Sequence, residues 1–113
     1  MNKIEYINWL DSLKVGNRVC VREDVNWTPA TKQIVSISPR KLIELRGWKN
    51  RFKNGRNKDC WNLVPKATLQ EEREKLIREI ELCEDKTRRA GLYRRFDLLE
   101  EVLKNVNEGD DHE

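Results

Sequence analysis

The chain has 113 residues, the length of one ordinary domain and too short for a sizeable core plus a deep active-site cleft. Its formal net charge of +3 conceals a strong segregation. Residues 40–68 carry nine Lys/Arg and two Asp/Glu, a net of +7, whereas residues 69–113 carry nine against fourteen, a net of −5. This pattern suggests an anionic partner for the middle of the chain; the alternative is a merely solvated surface.

The cysteines, Cys20, Cys60 and Cys83, are odd in number and far apart, and the single histidine, His112, lies at the C-terminal end. Because a disulfide framework or a zinc site needs closely paired ligands, we expect three reduced thiols packed as small hydrophobes. No apolar run is long enough for a membrane span, and the N-terminus lacks a signal-peptide pattern. We therefore expect a cytoplasmic protein without a cofactor, a metal or a membrane contact.

The first predicted element is a short helix over residues 3–13. Its apolar residues fall at positions i, i+3, i+4 and i+7, which form one helical face. Gly16 follows soon after and suits a reversal of the chain direction. The residues of the apolar face are Tyr6, Trp9, Leu10 and Leu13.

The hydrophobic period then changes from 3.6 to 2, which indicates β-strands. Strands are predicted over residues 15–22, 31–38, 42–46 and 48–53, with a weaker fifth over 60–64. Asn54-Gly55 is a strong hairpin signal, since both residues accept a positive φ. Four or five short strands within about 50 residues leave the fewest exposed edges when the sheet closes on itself. The predicted fold of this part is therefore a small SH3-like antiparallel β-barrel.

Two helices are predicted after the barrel, over residues 68–86 and 93–106, with Thr68 and Glu71 as a capping box and Gly91 at the joint. Each helix has an apolar stripe to bury against the other helix, the barrel or a second copy of the chain, so a homodimer through these helices is one expectation. The predicted fold class is α+β. Its parts are residues 1–66 (N-terminal helix and barrel), 67–107 (charged helical hairpin) and 108–113 (disordered acidic tail).

No catalytic constellation is visible, since the lone histidine is terminal and no phosphate-binding glycine motif is present. The carboxylates lie mostly on predicted helix surfaces, where they serve solubility and i,i+4 pairing. We therefore expect a protein that acts by binding and not as an enzyme.

The segment with functional content runs from residue 48 to residue 58. Strand alternation places its first three cations on one side, and two more follow the hairpin turn. We name these five residues the basic strip: Lys49, Arg51, Lys53, Arg56 and Lys58. Cations beside aromatic rings suit a nucleic-acid backbone and its bases. The predicted contact residues are the basic strip together with Arg46 and Trp61, and Trp27 is a further stacking candidate.

The same segment has a structural interpretation. Trp48 and Phe52 share the face opposite the cations, which favours a place in the core over a stacking role. The lysines are also typical of edge strands that are protected against aggregation, and a basic strip binds acidic protein surfaces as well.

A resemblance covers residues 13–105. Residues 13–21, Leu-Lys-Val-Gly-Asn-Arg-Val-Cys-Val, look like the opening strand of many small barrels, with Asn17 where Asp is commoner. Ile34–Ser38, Leu42–Leu45, Arg51-Phe52, Asn54–Arg56 and Leu63–Pro65 then follow in order before a charged helix. This order is similar to small SH3-like barrel proteins encoded by tailed phages and prophages, most of which have no assigned function.

The resemblance implies three roles. The first is an accessory factor that binds DNA or RNA. The second is a modulator or inhibitor of a host enzyme or defence system, such as restriction or CRISPR machinery, which would bind an acidic surface of a host nucleic-acid-handling protein. The third is a small structural component of the virion.

Overall fold

The computed structural model describes residues 1–108 and has an α+β architecture. Three helices accompany one four-stranded antiparallel sheet that curls into a half-barrel with the strand order β3-β2-β1-β4. The elements in chain order are α1 (Lys3–Ser12), β1 (Arg18–Glu23), β2 (Ala30–Ile37), β3 (Ile43–Leu45), β4 (Trp61–Val64), α2 (Lys66–Leu82) and α3 (Lys86–Asn105).

The central strand β1 is covered on both faces, because successive side chains of a strand point to opposite sides. Val19 and Val21 are fully buried in a core inside the half-barrel, together with Leu63 of β4. Cys20 points the other way and is equally buried in a second core against the helical hairpin. The sheet thus separates two hydrophobic clusters. One face of the sheet lines the core of the half-barrel, and the other face packs against the helical hairpin.

Helix α1 begins with a capping box, in which the side chains of Asn2 and Glu5 each accept a hydrogen bond from the other residue's backbone N–H. The predicted apolar face is confirmed: Trp9 and Leu10 pack against the core of the half-barrel, and Leu13 is buried in it. The Tyr6 hydroxyl donates a hydrogen bond of 2.7 Å to the Leu63 carbonyl of β4. Helix α1 therefore lies against the half-barrel and contacts its last strand.

The strand predicted over residues 48–53 is wrong, because only isolated bridges form there, at Phe52 and Lys53. Phe52 forms its bridge through two backbone hydrogen bonds with Ile43 of β3. The segment between β3 and β4, residues 46–60, is named the closing segment. Lys53 then bridges Arg56, and Arg56 bridges Asn62 of β4. The closing segment therefore joins the two edge strands of the sheet without being a strand itself.

The predicted joint of the helical pair is also wrong. Gly91 lies inside α3, and the turn between the helices falls at residues 83–85, where the Asp85 carboxylate caps α3 by accepting from the N–H groups of Thr87 and Arg88. Helix α2 begins two residues before the predicted Thr68, with Pro65 at its N-cap and no side-chain cap. The predicted Thr68–Glu71 capping box is therefore absent from this helix.

The chain after α3 returns to the sheet. Asn107 exchanges two backbone hydrogen bonds of 2.8 Å with Arg18 at the start of β1. Glu108, the first residue of the predicted tail, is buried, and its carboxylate accepts hydrogen bonds from the Trp9 indole and the Lys66 backbone N–H. The rest of that predicted tail, residues 109–113, lies outside the described residues.

The three cysteines are free. Cys20 and Cys83 are buried as predicted, whereas Cys60 is exposed at the end of the closing segment, where φ is +67°. Burial raises the pKa of the Cys20 thiol to about 12. Among residues 1–108, no helix combines the length and the hydropathy that crossing a bilayer requires.

Candidate functional site

The cations of the basic strip are all exposed along the closing segment. Phe52, between Arg51 and Lys53, is fully buried in the core of the half-barrel. The alternation that suggested a strand therefore describes burial correctly, although the hydrogen bonding of a strand is missing. The anchored Phe52 holds its charged neighbours at the surface.

Two cations among the predicted contact residues already have a side-chain partner within the protein. Arg56 forms an ion pair of 2.6 Å with Asp24, and Arg46 donates a hydrogen bond of 3.2 Å to the Gln33 side chain. The pKa of Arg56 is raised above its ordinary value, mainly by a hydrogen bond with Cys60 and to a smaller extent by the charge of Asp24. By contrast, the other four residues of the basic strip make no ion pair with any described residue.

Tyr6 of α1 contacts the turn at Asn54-Gly55, which lies within the basic strip. Asn54 and Gly55 have φ values of +54° and +85°, which is the left-handed region that favours Asn and Gly. A Cβ atom placed on Gly55 would lie 2.0 Å from the Tyr6 hydroxyl oxygen. The backbone of the turn can therefore approach the tyrosine only because residue 55 has no side chain.

Two tryptophans form an aromatic pair beside the strip. Trp48 stacks on Phe52 with ring centroids 5.8 Å apart and meets Trp61 edge to face at 4.9 Å. Both tryptophans are half-buried and pack on the core of the half-barrel. Trp48 therefore contacts the core with one part of its ring and solvent with another, and Trp61 lies at the start of β4.

A groove of about 310 Å³, here named the aromatic groove, is lined by both rings. It brings one cation of the basic strip together with polar residues that were not among the predicted contact residues. Its lining is Trp48, Lys49, Asn50, Asn57, Asp59 and Trp61.

Asn57 organises the floor of the aromatic groove. It is only 5% exposed, and its side-chain oxygen accepts hydrogen bonds of 3.0 Å from the backbone N–H groups of both Asp59 and Trp61. The Asn50 side chain in turn donates to the Asp59 carboxylate. The local signal for this arrangement is Asn57 itself, because an Asn side chain commonly accepts from the backbone N–H two residues later in an Asx turn. The position of this turn beside the tryptophans depends on the fold.

Trp27, the other predicted stacking residue, lies elsewhere. It packs against the core of the helical hairpin, and the Arg95 guanidinium lies 4.8 Å from its ring centroid. The structure therefore does not bring Trp27 to the basic strip, and its ring is already covered by a cation.

The groups present at this site are exposed cations and two half-buried indole rings, which are groups that proteins use for anion binding and ring stacking. No group of three or more His, Cys, Asp or Glu side chains within residues 1–108 is placed to hold a metal ion. Comparison of the chain with family models, curated proteins and solved structures finds no match.

Proposed function

We propose that this protein binds nucleic acid through the basic strip and acts by binding, without catalysis. The observation that carries the proposal is that Lys49, Arg51, Lys53 and Lys58 are exposed and make no ion pair among the described residues. A cation that is not held in an ion pair can neutralise a phosphate and release the counterions of that phosphate, which favours association.

The charges of the helical hairpin are arranged differently. Arg73 of α2 pairs with Glu100 of α3, and Arg88 of α3 lies 4.0 Å from Glu79 of α2. These two cations are engaged inside the hairpin, and over residues 66–105 ten Lys/Arg balance ten Asp/Glu, a net charge of zero. The hairpin therefore offers a polyanion no net attraction. Residues 46–60 carry six Lys/Arg and one Asp, a net of +5, which directs the partner towards the closing segment.

The order of the sheet supports the SH3-like assignment within this proposal. Consecutive strands β1, β2 and β3 are neighbours, and β4 returns to pair with β1 after the closing segment. This arrangement agrees with a small barrel that presents its binding residues on the connection between two strands. It fits the resemblance to small phage-encoded barrels, so we propose the role of an accessory factor.

The test is fluorescence anisotropy with labelled single- and double-stranded DNA and RNA across a salt series. Four phosphate contacts give a slope of about −2.8 in log affinity against log salt for a single strand, since each contact contributes about −0.7. Affinity should then fall about 50-fold between 50 and 200 mM salt. The double variant R51E/K53E should bind at least about tenfold more weakly at 50 mM salt.

The matched control is R94E/K104E, which makes the same change in net charge at two exposed residues of α3. Its binding should change by much less than that of R51E/K53E, because α3 is not part of the proposed surface. Equal losses for the two variants would show an effect of net charge alone. Absence of binding at low salt would refute the proposed function.

A second candidate, a protein-directed modulator, is favoured by one observation. An apolar groove of about 310 Å³ lies between α1 and the half-barrel, and Ile7, 42% exposed, lines it beside the even more exposed Ile4. Exposed apolar surface of this kind is typical of protein contacts. If nucleic acid is not bound and Ile7→Asp abolishes capture of a host protein that the wild type retains, this candidate replaces the first.

A further inference from the structure

The aromatic groove contains hydrogen-bonding groups, on Asn57 and Asp59, that have no part in the proposed phosphate contacts. The oxygen of the Asn57 side chain is occupied by two backbone N–H groups, which identifies the other terminal atom as the amide nitrogen. That nitrogen donates no hydrogen bond to any described residue, although Asn57 is only 5% exposed. The Asn57 amide nitrogen therefore offers donor hydrogens at the groove that this residue lines.

An acceptor lies close to this donor. Asp59 also lines the groove, and its carboxylate is held from one side by the Asn50 side chain. A carboxylate at this place disfavours a phosphate inside the groove, since like charges repel. It suits an exocyclic amino group or ring N–H, which are the donors that nucleobases present along their edges.

The walls and the size of the groove fit a planar ring. Trp48 and Trp61 meet at 76°, so the groove is bounded by aromatic surfaces in two orientations. Its volume of about 310 Å³ is at the small end of ligand sites, which typically span about 300–1,000 Å³. Aromatic side chains bind bases by stacking irrespective of base identity, because every base has a π face.

We infer that the aromatic groove accepts one unpaired nucleobase while the basic strip contacts the phosphates on either side of it. This inference rests on the proposed function and narrows the ligand to single-stranded nucleic acid. A base in a duplex is stacked and has its pairing edge occupied, so it cannot present both its face and that edge to the protein. Lys49, which belongs to both the groove and the basic strip, lies where base and backbone would meet.

The first experiment compares three ligands in anisotropy at one salt concentration: a single-stranded DNA oligonucleotide, the same length with abasic sites, and the corresponding duplex. The abasic strand keeps every phosphate and loses the bases. Loss of stacking should weaken binding at least about fivefold. The duplex should likewise bind more weakly than the intact single strand.

The second experiment uses Asp59→Ala, with Asp97→Ala on an exposed position of α3 as the matched control. If only phosphates are bound, removing the Asp59 charge beside the basic strip should tighten binding of every ligand. If a base occupies the groove, Asp59→Ala should weaken binding of the intact strand and tighten binding of the abasic strand. Asp97→Ala should change neither.

Equal affinity for intact and abasic strands, together with tighter binding by Asp59→Ala, would overturn the base site and leave the phosphate-binding function intact. Absence of binding to all three ligands would overturn both. An intact strand that binds more tightly than the abasic strand, with the opposite responses to Asp59→Ala, would establish the site.

Discussion

The close contact between Gly55 and Tyr6 predicts that Gly55→Ala will destabilise the protein through two separable effects. A residue with a side chain at φ +85° costs about 1–2 kcal/mol in backbone strain. The new Cβ atom would also lie 2.0 Å from the Tyr6 hydroxyl oxygen, so the tyrosine must move away from the Leu63 carbonyl. Loss of that hydrogen bond adds about 1 kcal/mol.

The free energy of unfolding should therefore fall by about 2–3 kcal/mol. For a chain of this size, 1 kcal/mol corresponds to about 4 °C, so Tm should fall by about 8–12 °C. Urea denaturation followed by tryptophan fluorescence measures the free energy, and calorimetry measures Tm.

The matched control is Gly47→Ala, because Gly47 has a similar φ of +79° and open space around its missing Cβ. It should show the strain alone, about 1–2 kcal/mol. In a Tyr6→Ala background, Gly55→Ala should cost no more than this control. Equal costs of Gly55→Ala and Gly47→Ala in the wild type would refute the idea that α1 restrains the turn at Asn54-Gly55.

Two further predictions concern Tyr6 and Gly91. Burial raises the pKa of Tyr6 from 10.0 to about 12, so the stability that depends on its neutral phenol is present below pH 10 and is lost as pH rises towards 12. In the variant Tyr93→Phe, which leaves Tyr6 as the only tyrosine, an absorbance titration should have its midpoint near pH 12; a midpoint near 10 would contradict its burial. Gly91 lies inside α3 with open space at the position of a Cβ atom, so Gly91→Ala should stabilise the protein by about 0.5–1 kcal/mol in urea denaturation. A loss of stability would mean that this part of α3 is not an ordinary helix interior.

Hydrophobic periodicity predicted those helices and strands in which a regular alternation of buried and exposed side chains goes together with regular backbone hydrogen bonds. Helix α1 and strands β1 to β4 lie close to where the sequence placed them, because each has a regular apolar face against a core. The closing segment shows the limit of this reasoning. Arg51, Phe52 and Lys53 alternate between exposed and buried positions as in a strand, but alternation reports which side chains face the core and not whether the backbone pairs.

Gly91 illustrates a second limit, the competition between local and tertiary preferences. Glycine disfavours a helix by about 1 kcal/mol, which is why it marked a joint in the sequence. Leu92, Leu99 and Val102 are buried from the same helix, and this burial outweighs the cost of one glycine. The actual turn at residues 83–85 has no Gly or Pro to mark it.

The candidate site was predictable only in part. The exposed cations follow from composition and alternation, whereas the engagement of Arg56 by Asp24 joins residues that are 32 positions apart. The aromatic groove depends in the same way on Trp48 and Trp61 meeting across the closing segment. Contacts of this kind are set by the fold and leave no signal in local spacing.

The closing segment also determines how this protein can associate with others. The free edge of a sheet presents unpaired N–H and C=O groups that add strands from other chains, which is a common route to aggregation. Here Phe52 bonds to Ile43 on the edge strand β3, and Gly55 and Asn57 bond to Leu63 and Trp61 on the other edge strand. Recognition by strand addition is therefore disfavoured at both edges, and a partner must be recognised by the side chains at the surface. The same closure should keep the protein monodisperse at concentrations at which an open sheet would aggregate.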